Sequence, residues 1–202
     1  MIRPSFIYFL ELHGGNAAKI AEIGVCCGRN AKTMLDAKQN LEAVLVDNYM
    51  MASNIPNEGD KKEMLLLLEP YMGRIKFYNT TSVEAAKIFP NNYFDYVYID
   101  ACHEYEFVRD DLEAWYPKVK EGGMLAGHDF WYPPVAKAVM EFRDKIKGYM
   151  FGVNCYAAPG FRLGTGEADY LDWWMNKYEC TPENPLPNKW VNEKSEVKPL
   201  ES

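Results

Sequence analysis

The stretch Phe94-Asp-Tyr-Val-Tyr-Ile-Asp100-Ala-Cys-His103-Glu-Tyr105 joins a buried-strand pattern to an abrupt polar ending. Apart from Asp95, its first six residues are aromatic or β-branched, which is typical of a strand inside a parallel sheet. An acid and then a histidine follow closely. Because open α/β sheets bind ligands at the carboxyl ends of their strands, we expect the chemistry of this protein at Asp100 and His103.

The same strand pattern recurs along the chain, with helical segments between the strands. The other predicted parallel strands are Ala18 to Val25, Leu41 to Asp47, Arg74 to Thr80 and Met124 to Asp129. Helices are predicted over Pro4 to Leu12, Ala31 to Lys38, Asp60 (as N-cap) to Glu69, Val83 to Ile88, Glu104 to Lys120 (stopped by Gly122 and Gly123) and Pro133 to Lys147. Strands that alternate with helices imply a parallel sheet with right-handed crossovers.

The C-terminal part of the chain departs from this alternation. Tyr149 to Tyr156 and Tyr170 to Met175 have strand character, and their closeness predicts an antiparallel pair. The predicted fold class is therefore α/β, with a Rossmann-like, doubly wound, mostly parallel sheet and an antiparallel C-terminal hairpin. Residues 1–178 are predicted to form a single domain, and residues 179–202 an irregular tail rich in Pro, Asn, Lys and Glu.

Composition and charge narrow the classes of partner. The chain has 202 residues, 48% apolar and 25% charged, as in an ordinary globular domain. A net charge of -7 argues against non-specific nucleic-acid binding, and no apolar run approaches the roughly 20 residues of a membrane span. Five cysteines without a disulfide-framework spacing indicate a cytoplasmic protein, and all except Cys102 are expected to be buried.

The segment Glu22-Ile-Gly24-Val-Cys-Cys-Gly28 links the first predicted strand to a helix. Its glycines permit a tight turn and a close approach of the backbone to a ligand. The spacing is neither the GxGxxG of a dinucleotide site nor a Walker loop. Asp47 ends the next predicted strand, where doubly wound folds place the carboxylate that holds ribose hydroxyls. Together they predict a nucleotide-containing ligand.

Several candidate site residues lie at or just beyond predicted strand ends. They are Gly24, Asp47, Ser82, Asp100 and Asp129. Parallel strands end at one edge of a sheet, so we expect these residues to share one crevice. Two carboxylates suit Mg²⁺, a bound hydroxyl loses its proton more readily, and a histidine with an ordinary pKa of about 6.5 could accept that proton. The alternatives are N-caps for the acids and a structural hydrogen bond for His103.

These motifs resemble the class I S-adenosylmethionine-dependent methyltransferases. The resemblance is carried by Glu22 to Gly28, Val46-Asp47, Phe94 to Leu112, Gly122-Gly-Met-Leu-Ala-Gly-His128-Asp129-Phe and Pro134-Val-Ala-Lys-Ala-Val139. Within the class, the Ile-Asp-x-x-His-x-Tyr and Gly-His-Asp motifs are similar to those of metal-dependent sugar and macrolide O-methyltransferases.

The resemblance implies a donor site, a base and a metal site. The implied donor-binding residues are Glu22, Gly24, Gly28, Asn30, Asp47, Thr81, Ser82 and Asp100. Among them the glycines would pass the methionine part of S-adenosylmethionine, Asp47 would hold the ribose, and Thr81 and Ser82 would lie near the adenine. The implied catalytic residues are His103, as general base, and Asp100. The implied Mg²⁺ ligands are Asp100, Asp129 and His128, although relatives carry Glu or Asn near the second acid where this chain has His128 and Phe130.

The expected acceptor is a hydroxyl on a small molecule, such as a sugar or another natural product. The segments expected to recognise it are Asn48 to Gly59, Phe130-Trp131-Tyr132 and the tryptophan-bearing C-terminal region. A homo-oligomer is compatible with the resemblance, and neither nucleic acid nor membrane is an expected partner. Two alternatives stay open: a nicotinamide-dependent Rossmann oxidoreductase, opposed by the absent GxGxxG, and a non-catalytic S-adenosylmethionine-binding protein.

Overall fold

The computed structural model describes residues 2–13, 16–50, 55–146, 151–155 and 171–177, of which 151–155 and 171 are described by their backbone. The strands are β1 (Ala18–Ile23), β2 (Leu41–Val46), β3 (Ile75–Tyr78), β4 (Phe94–Ile99), β5 (Val119–Gly127), β6 (Phe151–Cys155) and β7 (Leu171–Asn176). The α-helices are α1 (Pro4–His13), α2 (Arg29–Ala37), α3 (Glu58–Leu68), α4 (Ser82–Ala86), α5 (Tyr105–Trp115) and α6 (Pro133–Ile146), and 3₁₀ turns cover Glu69–Arg74 and Tyr116–Lys118.

The strands form one sheet in the order β3-β2-β1-β4-β5-β7-β6. Strands β1 to β5 pair in parallel, whereas β7 runs antiparallel to both β5 and β6. The chain moves outward from β1 in one direction and from β4 in the other, so the strand order reverses between these two strands. A ligand crevice is expected at such a point. The predicted α/β fold is confirmed, including its antiparallel C-terminal pair.

Each face of the sheet is covered by its own set of helices. Helices α4, α5 and α6 pack on one face, and α1, α2 and α3 pack on the other. Strand β4 shows why both faces are apolar: Val97 and Ile99 enter the first cluster, while Tyr96 and Tyr98 enter the second. Successive side chains of a strand point to opposite faces, so a strand covered on both sides is apolar almost throughout.

The helix predicted from Glu104 to Lys120 is too long. It ends at Trp115, a 3₁₀ turn containing Pro117 follows, and β5 begins at Val119. Proline has no N–H and its ring obstructs a helix, which accounts for the early stop. The glycines expected to end the helix lie inside β5, where a Cβ at Gly123 would meet the Asp95 carbonyl oxygen at 2.9 Å.

The N-cap predicted for the third helix is also wrong. Asn57 occupies that position, and its side chain accepts a hydrogen bond from Asp60 N at 3.3 Å. Both residue types cap helices well, so sequence preference alone does not separate them. Asp60 instead lies in the first turn, where its charge favours the positive end of the helix dipole.

The cysteines are less buried than expected. Cys26 and Cys102 are exposed and Cys27 is half-buried, so burial is wrong for Cys26, and Cys102 is the exception that was expected. The predicted tail of residues 179–202 lies outside the described residues. Within the part of the chain that is described, no helix has the length and apolar character needed to cross a bilayer.

Candidate active site

Two acids and a histidine meet at the carboxyl edge of β4 and β5. Asp100 directly follows β4, Asp129 lies just beyond β5, and His103 precedes α5. His103 Nε2 lies 3.0 Å from Asp129 Oδ2 and 3.6 Å from Asp100 Oδ1. One ligand atom from each of the three residues lies within 4.8 Å of the others, a spacing that suits a metal ion. Asp100 and Asp129 are almost thirty residues apart in sequence, and the parallel pairing of β4 with β5 brings them together.

The two carboxylates change the protonation of the histidine between them. Hydrogen bonds to Asp100 and Asp129 raise the pKa of His103 from 6.5 to about 10. Burial alone would raise the pKa of Asp129, but hydrogen bonds from His103 and His128 hold it well below its ordinary value. Without another cation between the acids, His103 is therefore positively charged at neutral pH. It can act as a base only after that carboxylate charge is offset.

Both carboxylate oxygens of Asp129 and its carbonyl oxygen have polar partners. Its Oδ1 accepts a hydrogen bond from Trp131 Nε1 at 2.9 Å, and its carbonyl oxygen accepts one from Tyr132 N at 2.8 Å. Its Oδ2 faces both His103 and His128 Nδ1, the latter at 3.3 Å. The backbone of Asp129 is left-handed, with φ 56°, a strain of about 1 to 3 kcal/mol for a non-glycine residue. Such strain is typical of functional sites, where the surroundings fix the conformation.

His128, a predicted metal ligand, is engaged by the protein at both ring nitrogens. Its Nε2 lies 2.7 Å from Arg3 Nη1, and its Nδ1 faces Asp129 and, at 3.8 Å, Asp100 Oδ1. Both histidines thus face the two acids, and the three ligand atoms that lie within 4.8 Å of one another belong to Asp100, His103 and Asp129. Arg3 was missed by sequence reasoning, because nothing about a basic residue before the first helix indicates that it reaches a site after β5.

The two glycines of the first loop both have left-handed backbones, and packing also excludes a side chain at Gly24. Gly24 has φ +85°, and a Cβ there would lie 2.5 Å from the carbonyl carbon of Asp100 and 2.6 Å from Ala101 Cα, with the carbonyl oxygen closer still. Gly28 has φ +79°, and its Cβ would lie 3.0 Å from a side chain of α3. The loop after β1 therefore lies directly against the end of β4, next to the acid and histidine cluster.

Asp47 holds this loop in place. Its Oδ2 accepts hydrogen bonds from Val25 N at 2.8 Å and Cys26 N at 2.9 Å, and its Oδ1 accepts one from Tyr49 N at 2.7 Å. A carboxylate has about four acceptor positions, and the described residues occupy three of those on Asp47, which leaves one that a ligand hydroxyl could use. The structure brings Asp47 to the predicted crevice and shows a second role for it, as the support of the loop.

Glu22 and Asn30 form a buried pair with unused acceptors. Glu22 is 1% exposed, and its Oε1 accepts a hydrogen bond from Asn30 Nδ2 at 3.0 Å. Burial raises the pKa of Glu22 to about 8. No described residue donates to Glu22 Oε2 or Asn30 Oδ1. Because buried polar atoms are almost always hydrogen-bonded, these two oxygens are candidates for contact with a ligand donor.

The residues predicted to contact adenine divide into two cases. Thr81 is the exposed N-cap position of α4, without a side-chain capping bond. The Ser82 hydroxyl accepts a hydrogen bond from Trp115 Nε1 at 2.8 Å and also bonds to Asp111, whose pKa burial raises to about 6. Ser82 thus ties α4 to α5, which leaves Thr81 as the better placed of the two for a ligand.

Comparison with known proteins identifies the family. A family model described as a methyltransferase domain matches residues 21–130, which include the glycine loop and the acid and histidine cluster. The chain belongs to this methyltransferase family. No curated protein gives a significant match to the sequence.

Solved structures share the fold of this methyltransferase at low sequence identity. An S-adenosylmethionine-dependent O-methyltransferase from Thermotoga maritima has a TM-score of 0.61 and 11% identity, over 90% of this chain and 68% of that one. An rRNA methylase from Streptococcus thermophilus has a TM-score of 0.62 and 12% identity, over 89% and 99%. Spermidine synthase from Thermotoga maritima has a TM-score of 0.55 and 19% identity, over 96% and 66%. Such similarity shows the fold, and the acceptor must be argued from the site itself.

S-adenosylmethionine, the donor that the family assignment implies, suits the residues present. It carries an ammonium group, and Glu22 Oε2 with Asn30 Oδ1 are two buried acceptors that no described residue serves. A negatively charged Glu22 beside that ammonium would replace the neutral carboxyl that burial favours. If the donor binds at this pair, its ammonium group would make a charge-assisted contact with Glu22.

We expect Glu22→Gln to weaken binding of S-adenosylhomocysteine by at least about tenfold, because a hydrogen bond to a charged group is worth about 1.5 to 3 kcal/mol. The same change should stabilise the ligand-free methyltransferase in alkaline buffer. A carboxyl whose pKa rises from 4.5 to about 8 on folding costs stability progressively as pH rises through that interval, and glutamine removes this cost. Calorimetric titration and urea unfolding at acidic and alkaline pH measure the two effects. Glu42→Gln, on an exposed position of β2, is the control, and unchanged affinity in Glu22→Gln contradicts the assignment.

Proposed function

We propose that this methyltransferase transfers a methyl group from S-adenosylmethionine to a hydroxyl of a small molecule, a sugar or another natural product, with help from a divalent cation. The observation that carries the proposal is the contact between the loop after β1 and the end of β4. Asp100 N donates to Ile23 O at 2.7 Å, and Gly24 packs against the Asp100 carbonyl. This packing supports the proposal, because a donor bound at the loop after β1 would lie next to the acid and histidine cluster, as a transfer reaction requires.

The charge of the methyltransferase favours a small acceptor over RNA. Its net charge is -7, which disfavours a polyanionic acceptor. Nucleic-acid binding draws most of its affinity from contacts between basic residues and phosphates.

Two aromatic side chains lie beside the acid and histidine cluster. Trp131 has 47% of its surface exposed, and the Tyr132 ring lies 6.4 Å from that of His103. These aromatic faces suit the ring of a sugar or natural product.

The division of labour follows from the donor's chemistry. S-adenosylmethionine supplies an already activated methyl group, so the chain must position the acceptor and help to remove its proton. Asp100 and Asp129 are hard oxygen ligands that suit Mg²⁺ or Mn²⁺, and such an ion would acidify an acceptor hydroxyl. The site of His103 between the acids makes it either the third ligand or the base beside the ion.

A cation at Asp100 and Asp129 is linked to the proton on His103. The carboxylates that would bind the ion are the groups that raise the pKa of this histidine to about 10. With that charge offset by an ion, the pKa of His103 would be lower, and a neutral His103 imidazole could accept the proton of the acceptor hydroxyl. Ion binding would therefore convert His103 from an acid into a base.

The test is a calorimetric titration of Mn²⁺ into the methyltransferase with S-adenosylhomocysteine present. We expect the apparent Mn²⁺ affinity to rise with pH across the neutral range, because the ion competes with the His103 proton. Proton release should appear as a buffer-dependent heat. Both effects should vanish in His103→Gln and persist in His13→Gln, at the end of α1.

Two results would oppose the proposal in different ways. A pH-independent Mn²⁺ affinity in the wild type would separate His103 from the metal site. Binding of NADH without binding of S-adenosylhomocysteine would favour the nicotinamide oxidoreductase, whose sheet and acid after β2 are similar. Tight S-adenosylhomocysteine binding with no turnover over a broad panel of hydroxyl acceptors would favour a non-catalytic binding protein.

A further inference from the structure

Arg3 stands at the start of α1 with its backbone fixed by the helix. Its carbonyl oxygen accepts hydrogen bonds from Phe6 N at 3.0 Å and Ile7 N at 3.1 Å. It lies outside residues 21–130, the part of the chain that matches the methyltransferase family. The position of the Arg3 side chain therefore depends on how α1 packs against the sheet.

A buried polar network holds α1 against the sheet. Ser5 N and Ser5 Oγ donate to Asp172 Oδ2 at 3.2 and 2.7 Å, and Tyr98 OH donates to Asp172 Oδ1 at 2.9 Å. Ser5 Oγ also lies 2.8 Å from Tyr96 OH. Asp172 is completely buried, so its hydrogen bonds fix α1 with little freedom to shift. This anchor determines where Arg3 reaches.

The guanidinium of Arg3 lies beside the acid and histidine cluster and contacts His128 and Asp100. Its Nη1 lies 2.7 Å from His128 Nε2, its Nη2 lies 3.5 Å from Asp100 Oδ2, and its carbon lies 5.9 Å from the centre of the Tyr98 ring. His128 is held from behind as well, because Trp173 Nε1 donates to its carbonyl oxygen at 3.1 Å. The imidazole is oriented with Nε2 towards Arg3 and Nδ1 towards Asp129.

We propose that Arg3 is a positioning residue that fixes the tautomer of His128 and so keeps His128 from acting as a metal ligand. A guanidinium only donates hydrogen bonds, so Nε2 must accept, and the ring proton must lie on Nδ1. That N–H points at Asp129 Oδ2, 3.3 Å away. With one nitrogen accepting from Arg3 and the other carrying the proton, neither has a lone pair to offer an ion. His128 instead orients Asp129.

This arrangement decides which metals the proposed site favours. Two carboxylates with one imidazole suit hard ions such as Mg²⁺ and Mn²⁺, whereas a second imidazole shifts preference towards Ni²⁺ and Zn²⁺. Arg3 thus selects against borderline metals by withholding one nitrogen ligand. The metal preference rests on the proposed function, but the tautomer is a property of the ligand-free protein and can be measured whether or not methyl transfer occurs.

The first measurement is nitrogen NMR of the methyltransferase labelled with ¹⁵N-histidine. The chain has only three histidines, His13, His103 and His128, so single His→Gln variants assign every ring signal. We expect wild-type His128 to carry its proton on Nδ1 alone, Arg3→Met to lose this single form, and Arg3→Lys to retain it. Arg109→Met, which removes an exposed arginine paired with its neighbour Asp110, should change nothing.

The second measurement compares Mn²⁺ and Ni²⁺ binding in the same variants. Arg3→Met should raise Ni²⁺ affinity relative to Mn²⁺ by about tenfold, a change of the size that partners of metal ligands usually produce. A wild-type His128 protonated on Nε2, or on both nitrogens, overturns the proposal even if the variant fails to fold. An unaltered Nδ1 proton in folded Arg3→Met overturns it as well. Failure of S-adenosylhomocysteine binding, by contrast, would count against the proposed function alone.

Discussion

Gly24→Ala is expected to destabilise the protein by about 2 to 5 kcal/mol, as the sum of left-handed backbone strain and overpacking. The new Cβ would lie 2.5 Å from the Asp100 carbonyl carbon and 2.6 Å from Ala101 Cα. Both atoms belong to the backbone, so no rotamer change relieves the contact. The end of β4 must move, and Asp100 moves with it. The variant should therefore lose Mn²⁺ and S-adenosylhomocysteine binding together with stability.

Urea unfolding of Gly24→Ala beside Gly73→Ala provides the measurement and its control. A Cβ at Gly73 meets nothing within 4 Å, and this glycine has no positive φ, so its replacement should change stability by no more than about 0.5 kcal/mol. If Gly24→Ala is as stable as Gly73→Ala, the loop after β1 does not approach β4 as described. The packing of this loop beside the acid and histidine cluster, on which the proposed function depends, would then be wrong.

Asp129→Asn is expected to lower Mn²⁺ affinity by at least about a hundredfold, the upper part of the range for disrupted metal sites. The carboxylate of Asp129 accepts from Trp131 and faces two histidine nitrogens. An asparagine keeps the shape but removes the charge and turns an N–H₂ group towards ring N–H donors. The pKa of His103 should also fall from about 10 towards 6.5, since one of its two carboxylates is gone.

Calorimetry gives the Mn²⁺ affinity, and NMR titration of the labelled histidines gives the pKa of His103. Asp144→Asn is the matched control, because Asp144 is exposed on α6 and pairs only locally with Arg143 among the contacts described. Undiminished Mn²⁺ binding in Asp129→Asn would exclude this acid as a ligand. A His103 pKa that stays near 10 would show that Asp100 alone is responsible for the shift.

The fold and the place of the site followed from local patterns. A run such as Phe94 to Ile99, apolar on both faces, needs helices on both sides of the sheet, and the acids that end such runs must lie on one edge. Asp100 and Asp129 could therefore be located without coordinates. The boundary between α5 and β5 could not, because Gly122 and Gly123 suit a helix end as well as a strand bulge, although Pro117 was the available signal.

The roles of the two histidines depended on contacts that no local pattern contains. His128 adjoins Asp129 in sequence, yet it turns one nitrogen to Arg3 and the other to the acid. His103 is distant from Asp129 in sequence, yet it lies between both carboxylates. Its ordinary pKa predicted a base at neutral pH, whereas its neighbours make it a cation. Hydrogen-bond partners and burial set a pKa, and both arise from packing.

The sequence by itself determined the order of strands and helices, the edge of the sheet that carries the chemistry, and the acids found there, since strand and helix periodicity is a short-range property. Tertiary structure alone decided that Arg3 reaches the site, that a side chain at Gly24 would clash with the backbone after β4, and that a buried oxygen of Glu22 has no hydrogen-bond donor among the described residues. Each of these depends on segments far apart in the chain. Their meeting is governed by how α1 and the loop after β1 pack on the sheet, which no neighbouring residue specifies.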